Sequence, residues 1–238
     1  MIHENNKQLN MRKLVPVILC VAAVMLCASC KEQTVPEFIE DKPAKNIAME
    51  NLLTRRSVRQ YTAEIPPMEV IEEICKAGTY APTGRNLQSP IIIAVTNREM
   101  RDSLSRLNAR VLENDSIDPF YGAPVVLVVL ADSSVHTYLE DGSLVMGNLM
   151  NAAHAKGLGS CWIHRAREVF ESEEGKQILA DLGIEGNYVG IGNCILGYTD
   201  GEYPEAKPRK EYWVYWVKYT KLLSLSSPEG ARYVSPGR

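Results

Sequence analysis

Thr54-Arg55-Arg56-Ser57-Val58-Arg59-Gln60-Tyr61 puts three arginines and a serine within five positions. A guanidinium offers its N–H donors in a planar fork that suits carboxylate or phosphate oxygens. On its own such a cluster equally suits a solvated helix end, where cations complement the dipole. A second basic cluster, Ala206-Lys207-Pro208-Arg209-Lys210, lies far along the chain in a proline-fixed stretch. The formal net charge of −3 leaves no basic excess to displace counterions, which argues against nucleic acid as a partner. Two local cationic clusters on a slightly acidic chain therefore suit one small anion.

Two further segments carry recognition chemistry. Ala81-Pro82-Thr83-Gly84-Arg85-Asn86-Leu87-Gln88-Ser89-Pro90 is bounded by prolines and holds the carboxamides of Asn86 and Gln88. Each amide offers both donor and acceptor and can read the mixed edge of a heterocycle, a capacity a mere turn would not need. Gly157-Leu158-Gly159-Ser160-Cys161-Trp162-Ile163-His164 stops a helix and enters a strand through glycines, which permits close approach of the backbone to something flat. Cys161 there is either a redox thiol or, without a nearby partner cysteine, a packing residue. His136, His154 and His164 have no ligand spacing, and Cys75, Cys161 and Cys194, the cysteines beyond the N-terminal segment, have no CxxC spacing, so no metal is expected. His154 reads as structural.

The elements that must position these groups follow from periodicity. Ile47, Leu52 and Leu53 mark a helix that delivers Arg55 to Arg59. Pro66-Pro67 opens the next, with Met68, Ile71, Ile74 and Cys75 as its inner stripe and Gly78 as its cap. Strands are expected at Ile91–Val95, at the continuously apolar Pro124–Leu130, after Gly159, and at Tyr188–Leu196. Helices are expected over Arg98–Ala109, Leu139–Lys156 and Arg165–Leu182. The Leu139–Lys156 helix is apolar on more than one face, as for a helix buried on several sides. Alternating strands and helices in a chain of 238 residues point to one layered α/β or α+β core.

The N-terminus reads as a separate object. Arg12 and Lys13 precede the apolar run Leu14–Leu26, which is short for a membrane span, and Cys27-Ala28-Ser29-Cys30 follows. This resembles a bacterial lipobox. Residues 1–30 are then a lipoprotein signal peptide, with Cys30 lipidated and anchored to a membrane facing an extracytoplasmic compartment. A plain secretory signal is the other reading. Residues 31–43 form a polar, Pro-containing tether. Residues 44–238 form the domain, ending in an aromatic arm (Tyr212, Trp213, Tyr215, Trp216, Tyr219) suited to wrapping a partner subunit.

Arg55-Arg56-Ser57-Val58-Arg59, the Ala81–Pro90 loop, Gly157–Ile163 and Lys207-Pro208-Arg209, in that order, resemble the nitroreductase family of FMN-dependent oxidoreductases. The likeness spans roughly residues 46 to 218. It implies an α+β, three-layer α/β/α-like fold: a mainly antiparallel sheet flanked by helices, in a homodimer with FMN at the interface. Carried over, Arg55, Ser57 and Arg59, with Arg56 adjacent, hold the ribityl and phosphate parts, and Lys207 and Arg209 close on the phosphate. Pro82, Thr83, Gly84, Asn86 and Gln88 come from the partner subunit to line the flavin. Trp162, Ile163, His164 and Arg165 pass the ring, mainly through backbone groups.

The implied activity is ping-pong reduction of nitroaromatic, quinone or similar flat, electron-poor small molecules with NAD(P)H. No protein catalytic group is expected, because the ring carries the chemistry. Gln88-Ser89-Pro90 departs from the Gln-Pro-Trp of many members, and His164-Arg165 from the Glu-Gly pair of some, which bears on substrate choice. Reductive dehalogenation on the same fold, a flavin-binding lipoprotein without turnover, and a flavin-free binder of sugars or lipids stay open. The donor also stays open, since extracytoplasmic compartments hold little free NAD(P)H.

Overall fold

A computed structural model describes residues 46–217. The signal segment with Cys30, the tether and the tail from Lys218 onward, Tyr219 included, lie outside the described residues. The helices are α1 (Ile47–Thr54), α2 (Met68–Thr79), α3 (Arg98–Val111), α4 (Tyr138–Ala155), α5 (Ala166–Glu171) and α6 (Glu173–Asp181). The strands are β1 (Pro90–Val95), β2 (Val125–Asp132), β3 (Gly159–Ile163) and β4 (Tyr188–Gly197).

The most apolar segment is at the centre, as its composition dictates. Val125 to Ala131 are all fully buried, and each Val or Leu side chain among them contributes about 1.5–3 kcal/mol on leaving water. β2 pairs antiparallel with β1 on one side and β4 on the other, and β3 closes the far edge against β4, giving the order β1-β2-β4-β3. Alternation along β2 divides the core into two layers. Val126, Val128 and Leu130 join Leu104 of α3, Phe170 of α5 and Leu179 of α6. Val125, Leu127 and Val129 join Ile71 and Ile74 of α2 and Met146 and Leu149 of α4. Helices thus cover both faces of an antiparallel sheet, which is the expected α+β, three-layer arrangement.

Several local expectations need correction. Gly78 does not cap α2, whose C-cap is Tyr80. It is buried within the helix, and a Cβ there would lie 2.7 Å from Leu149 Cδ2, so its missing side chain lets α2 and α4 approach closely. Met68, assigned to the inner stripe, is 50% exposed. The single helix expected over Arg165–Leu182 is two, because Ser172 is extended (ψ 161°) and its Oγ caps α6 by accepting from the Gly175 amide at 3.1 Å. At Gly159 an added Cβ would meet Thr199 Oγ1 at 2.8 Å and the Val58 side chain at 2.9 Å, so the close approach there is made by the chain's own residues.

Candidate cofactor site

α1 stops at Arg55, whose amide donates to Asn51 O at 3.2 Å as the helix C-cap. From there the chain runs along the outer edge of β3. Ser57 pairs in parallel with Ser160, and the Val58 amide donates to Ser160 O at 3.0 Å. Val58 is buried between the sheet and its helices, which fixes the register of the arginines around it. Tyr61 then pairs with Thr199 beyond the end of β4. An arginine-bearing strand is thereby sewn to the open edge of the sheet.

The cationic groups at this corner are not equivalent. Arg56 Nη1 donates to Leu53 O and Arg55 O, each at 2.8 Å. Arg55 Nη1, Arg56 Nε and Ser160 Oγ, however, are buried with no hydrogen-bond partner. Among the described residues no carboxylate pairs with Arg55 or Arg56. Burial, then the charges of Arg55 and Arg56, hold the nearby His154 imidazole below its usual pKa. Arg59 is different: it lies 5.9 Å from the Tyr121 ring centroid and lines a cavity of about 310 Å³ together with Asp200 and Glu202. Lys207 and Arg209 are exposed, and it is Tyr203 of the same segment that touches the cluster, accepting from the Arg56 amide at 2.7 Å.

At the other end of β3 the chain turns through Trp162, Ile163, His164 and Arg165. Ile163 is buried, His164 exposed, and Arg165 takes the left-handed conformation (φ +74°) with its Nε buried and unpaired. The turn is held from below by Asn193, wholly buried on β4, whose Nδ2 lies 3.4 Å from Ile163 O and 3.3 Å from His164 O. Gly192 beside it makes room for the Trp162 indole, since a Cβ would come within 2.6 Å of Nε1. Sequence reasoning missed Asn193; its one signal is a carboxamide inside an otherwise apolar, glycine-containing strand.

The Ala81–Pro90 loop lies at the opposite sheet edge, entering β1. Arg85, Asn86 and Gln88 all have positive φ (50°, 56° and 51°), an uncommon conformation for side chains with a Cβ. What holds it is Asp141, a 2%-exposed carboxylate of α4 that accepts from the Gly84 amide (2.9 Å), Ser89 Oγ (3.0 Å) and Thr137 Oγ1 (3.1 Å). Gln88 Nε2 donates to Asn86 Oδ1 at 3.3 Å, and the Gln88 amide to Thr83 Oγ1 at 3.1 Å. Thr83 and Gln88 also line a cavity of about 510 Å³ with Met68, Cys75 and Ile92. Pro82 is exposed. Asp141 was likewise missed, because an acidic residue in a helix's first turn ordinarily serves only the dipole.

The cysteines separate by face. Cys161 packs in the α3–α5 layer and Cys194 in the α2–α4 layer, so the pair does not meet; burial pushes the Cys194 thiol up to about 12. Cys161 is therefore a packing residue, 1% exposed.

Fold and site together define a layered α+β protein in which buried, unpaired donors stand at both ends of β3. A nitroreductase family model matches residues 52–198, and the chain belongs to that family. A Methanothermobacter thermautotrophicus protein named as an NADH dehydrogenase/NAD(P)H nitroreductase is 31% identical over 133 residues, covering 52% of this chain and 64% of the relative. The chain thus spans just under two thirds of that relative's length. The nitroreductase of Bacteroides fragilis, solved with bound FMN, has 26% identity and a TM-score of 0.67, over 73% of this chain and 100% of that one. An iodotyrosine deiodinase solved with FMN and 3-iodo-L-tyrosine shares the fold at TM-score 0.59 and 24% identity, over 72% of this chain and 100% of that one.

Proposed function

We propose that the chain binds FMN along β3 and reduces flat, electron-poor acceptors such as nitroaromatics and quinones with electrons from NAD(P)H. The observation that carries this is the set of buried, unpaired donors: Arg55 Nη1, Arg56 Nε and Ser160 Oγ at one end of β3, Arg165 Nε at the other. A buried cationic N–H without a partner costs on the order of 1–3 kcal/mol, so an anion there removes a penalty that the fold otherwise carries. Arg55, Arg56 and Ser57, joined by Lys207 and Arg209, would hold the phosphate. Trp162, Ile163, His164 and Arg165 would hold the ring, their backbone fixed by Asn193. When bound, FMN supplies two-electron transfer from donor to acceptor, and the chain's own task is to orient it and exclude water.

The functional unit in this proposal is a homodimer. β1 and β3 are separated by β2 and β4, so the Pro82–Gln88 loop stands about 14 Å in the sheet plane from the strand bearing the other groups. A loop so strained and so firmly anchored by Asp141 serves better as a wall for the partner's flavin than for its own. The exposed aromatics Trp213, Tyr215 and Trp216 favour the same unit. We further propose lipid attachment at Cys30, on the lipobox pattern alone, placing the domain outside the cytoplasm.

The full-length chain purified from bacterial membranes is the material for the test. The expected result is a yellow protein that releases FMN on heating, carries lipid on Cys30, sediments as a dimer and is bleached by NADH or NADPH. A colourless protein that takes up no added FMN would overturn the proposal. Halogenated phenols belong in the acceptor panel, because the deiodinase shares this fold; preference for them over nitroaromatics would move the reading to reductive dehalogenation.

A further inference from the structure

One directed chain of hydrogen bonds crosses the cationic corner. Thr54 Oγ1 lies 2.7 Å from Glu50 O and 2.8 Å from His154 Nε2. The hydroxyl has a single proton and the carbonyl can only accept, so Thr54 donates to Glu50 and must accept from His154 Nε2–H. A neutral imidazole protonated at Nε2 presents Nδ1 as an acceptor. Tyr203 Oη, 3.2 Å from Nδ1, therefore donates to it, and in turn accepts from the Arg56 amide at 2.7 Å. The Tyr203 and His154 rings stack with centroids 5.5 Å apart and planes at 18°. His154 donates from Nε2 and accepts at Nδ1, Tyr203 Oη donates once and accepts once, and the neutral Nε2–H tautomer is the one that completes the chain.

This chain joins three segments distant in sequence: the end of α1, the end of α4 and the stretch after β4. The groups facing His154 are Thr54 from α1, Arg55 and Arg56 just beyond it, and Tyr203. Burial and the two arginines disfavour a third positive charge, which keeps the imidazole in the form that the wiring needs. Tyr203 stands four positions before Lys207 and six before Arg209. The stack therefore sets the point from which the second basic cluster departs, on the same Arg56 amide that borders the first.

We infer that His154 and Tyr203 form a latch that positions the Lys207–Arg209 segment against Arg55 and Arg56, so that recognition of a ligand phosphate depends on it. The inference rests on the FMN proposal above. Tyr203 and His154 are positioning residues in it: they act through the basic segment and the Arg56 backbone. A stack that only braces the fold would treat FMN and riboflavin alike, because the two differ only in the phosphate.

The test titrates FMN and riboflavin calorimetrically into the flavin-free full-length chain, its Tyr203→Phe variant and its His154→Asn variant, and records imidazole nitrogen NMR shifts. Tyr203→Phe keeps the stack and removes both hydrogen bonds. FMN affinity should fall about three- to tenfold in that variant, as for one lost hydrogen bond, while riboflavin stays within about twofold. His154→Asn should show the same phosphate-selective loss. The wild-type imidazole should appear as the Nε2–H tautomer at neutral pH, and as a tautomer mixture in Tyr203→Phe. Unchanged FMN affinity, or equal losses for FMN and riboflavin, would overturn the latch while leaving the FMN proposal standing. A wild type that binds neither flavin overturns the FMN proposal and the latch's phosphate role with it, even where the nitrogen shifts still report the Nε2–H tautomer.

Discussion

Arg101 sends Nε to Ala123 O at 2.9 Å, Nη1 to Asp102 at 3.0 Å and Nη2 to Asp118, and its guanidinium lies 5.5 Å from the Phe120 ring centroid. Arg55 and Arg56 sit in a comparably enclosed corner but leave Nη1 and Nε, respectively, buried and unpaired. The first corner is complete in itself. Its guanidinium and carboxylates tie the irregular stretch after α3, including Phe120 and Ala123, to the helix. In the second, no carboxylate among the described residues pairs with either arginine. Two arginine sites that look alike in composition thus differ in their partners: a paired guanidinium holds a loop, whereas the unpaired ones are those we propose for the FMN phosphate.

The sharpest way to break this comparison is to remove each arginine in turn. Arg101→Ala removes a buried guanidinium's bonds to Ala123 O, Asp102 and Asp118 and should destabilise the fold by about 2–3 kcal/mol, read as a lower urea midpoint. The ratio of FMN to riboflavin affinity should not change. A changed ratio would mean that the two corners are one site.

Arg55→Ala should do the reverse. FMN affinity should fall roughly ten- to a hundredfold, for a charge-assisted contact of about 1.5–3 kcal/mol, with riboflavin affinity and the urea midpoint nearly unaffected. Arg209→Ala should give a similar loss, and the double variant less than the sum, because both guanidinia serve one phosphate. Equal losses of both ligands would assign Arg55 to the fold.

The smallest effect is in acid. Desolvation pushes the Asp118 carboxyl up, but hydrogen bonds from Arg101, Ser105 and the Gly122 and Phe120 amides outweigh it and hold the group below its usual range. A carboxylate depressed in the folded state contributes stability that is present above its unfolded value, about 3.9, and lost as pH falls through the folded value. Urea midpoints should therefore decline below about pH 4 with an Asp118 component, which Asp118→Asn flattens. An unchanged slope in that variant would show that the paired corner titrates elsewhere.

What the amino-acid sequence determined was everything set by neighbours along the chain. The apolar run of β2 could only be a central strand, the stripe of Ile71 and Ile74 could only face a core, and proline and glycine bounded the loop that carries Asn86 and Gln88. The order of the four motifs was enough to recognise the family. Tertiary structure alone decided which polar groups meet. Asp141 reaches Gly84 across 57 positions and Tyr203 reaches Arg56 across 147, and no local pattern announces either contact. It also separated Arg55 and Arg56 from Arg59, three equal letters in one motif, by leaving donors of the first two buried and unpaired and placing the third in a cavity with Asp200 and Glu202. Hydrophobic periodicity is local and survives in one dimension, whereas the worth of a charge depends on what lies within a few ångströms of it, and that is fixed only when distant segments pack.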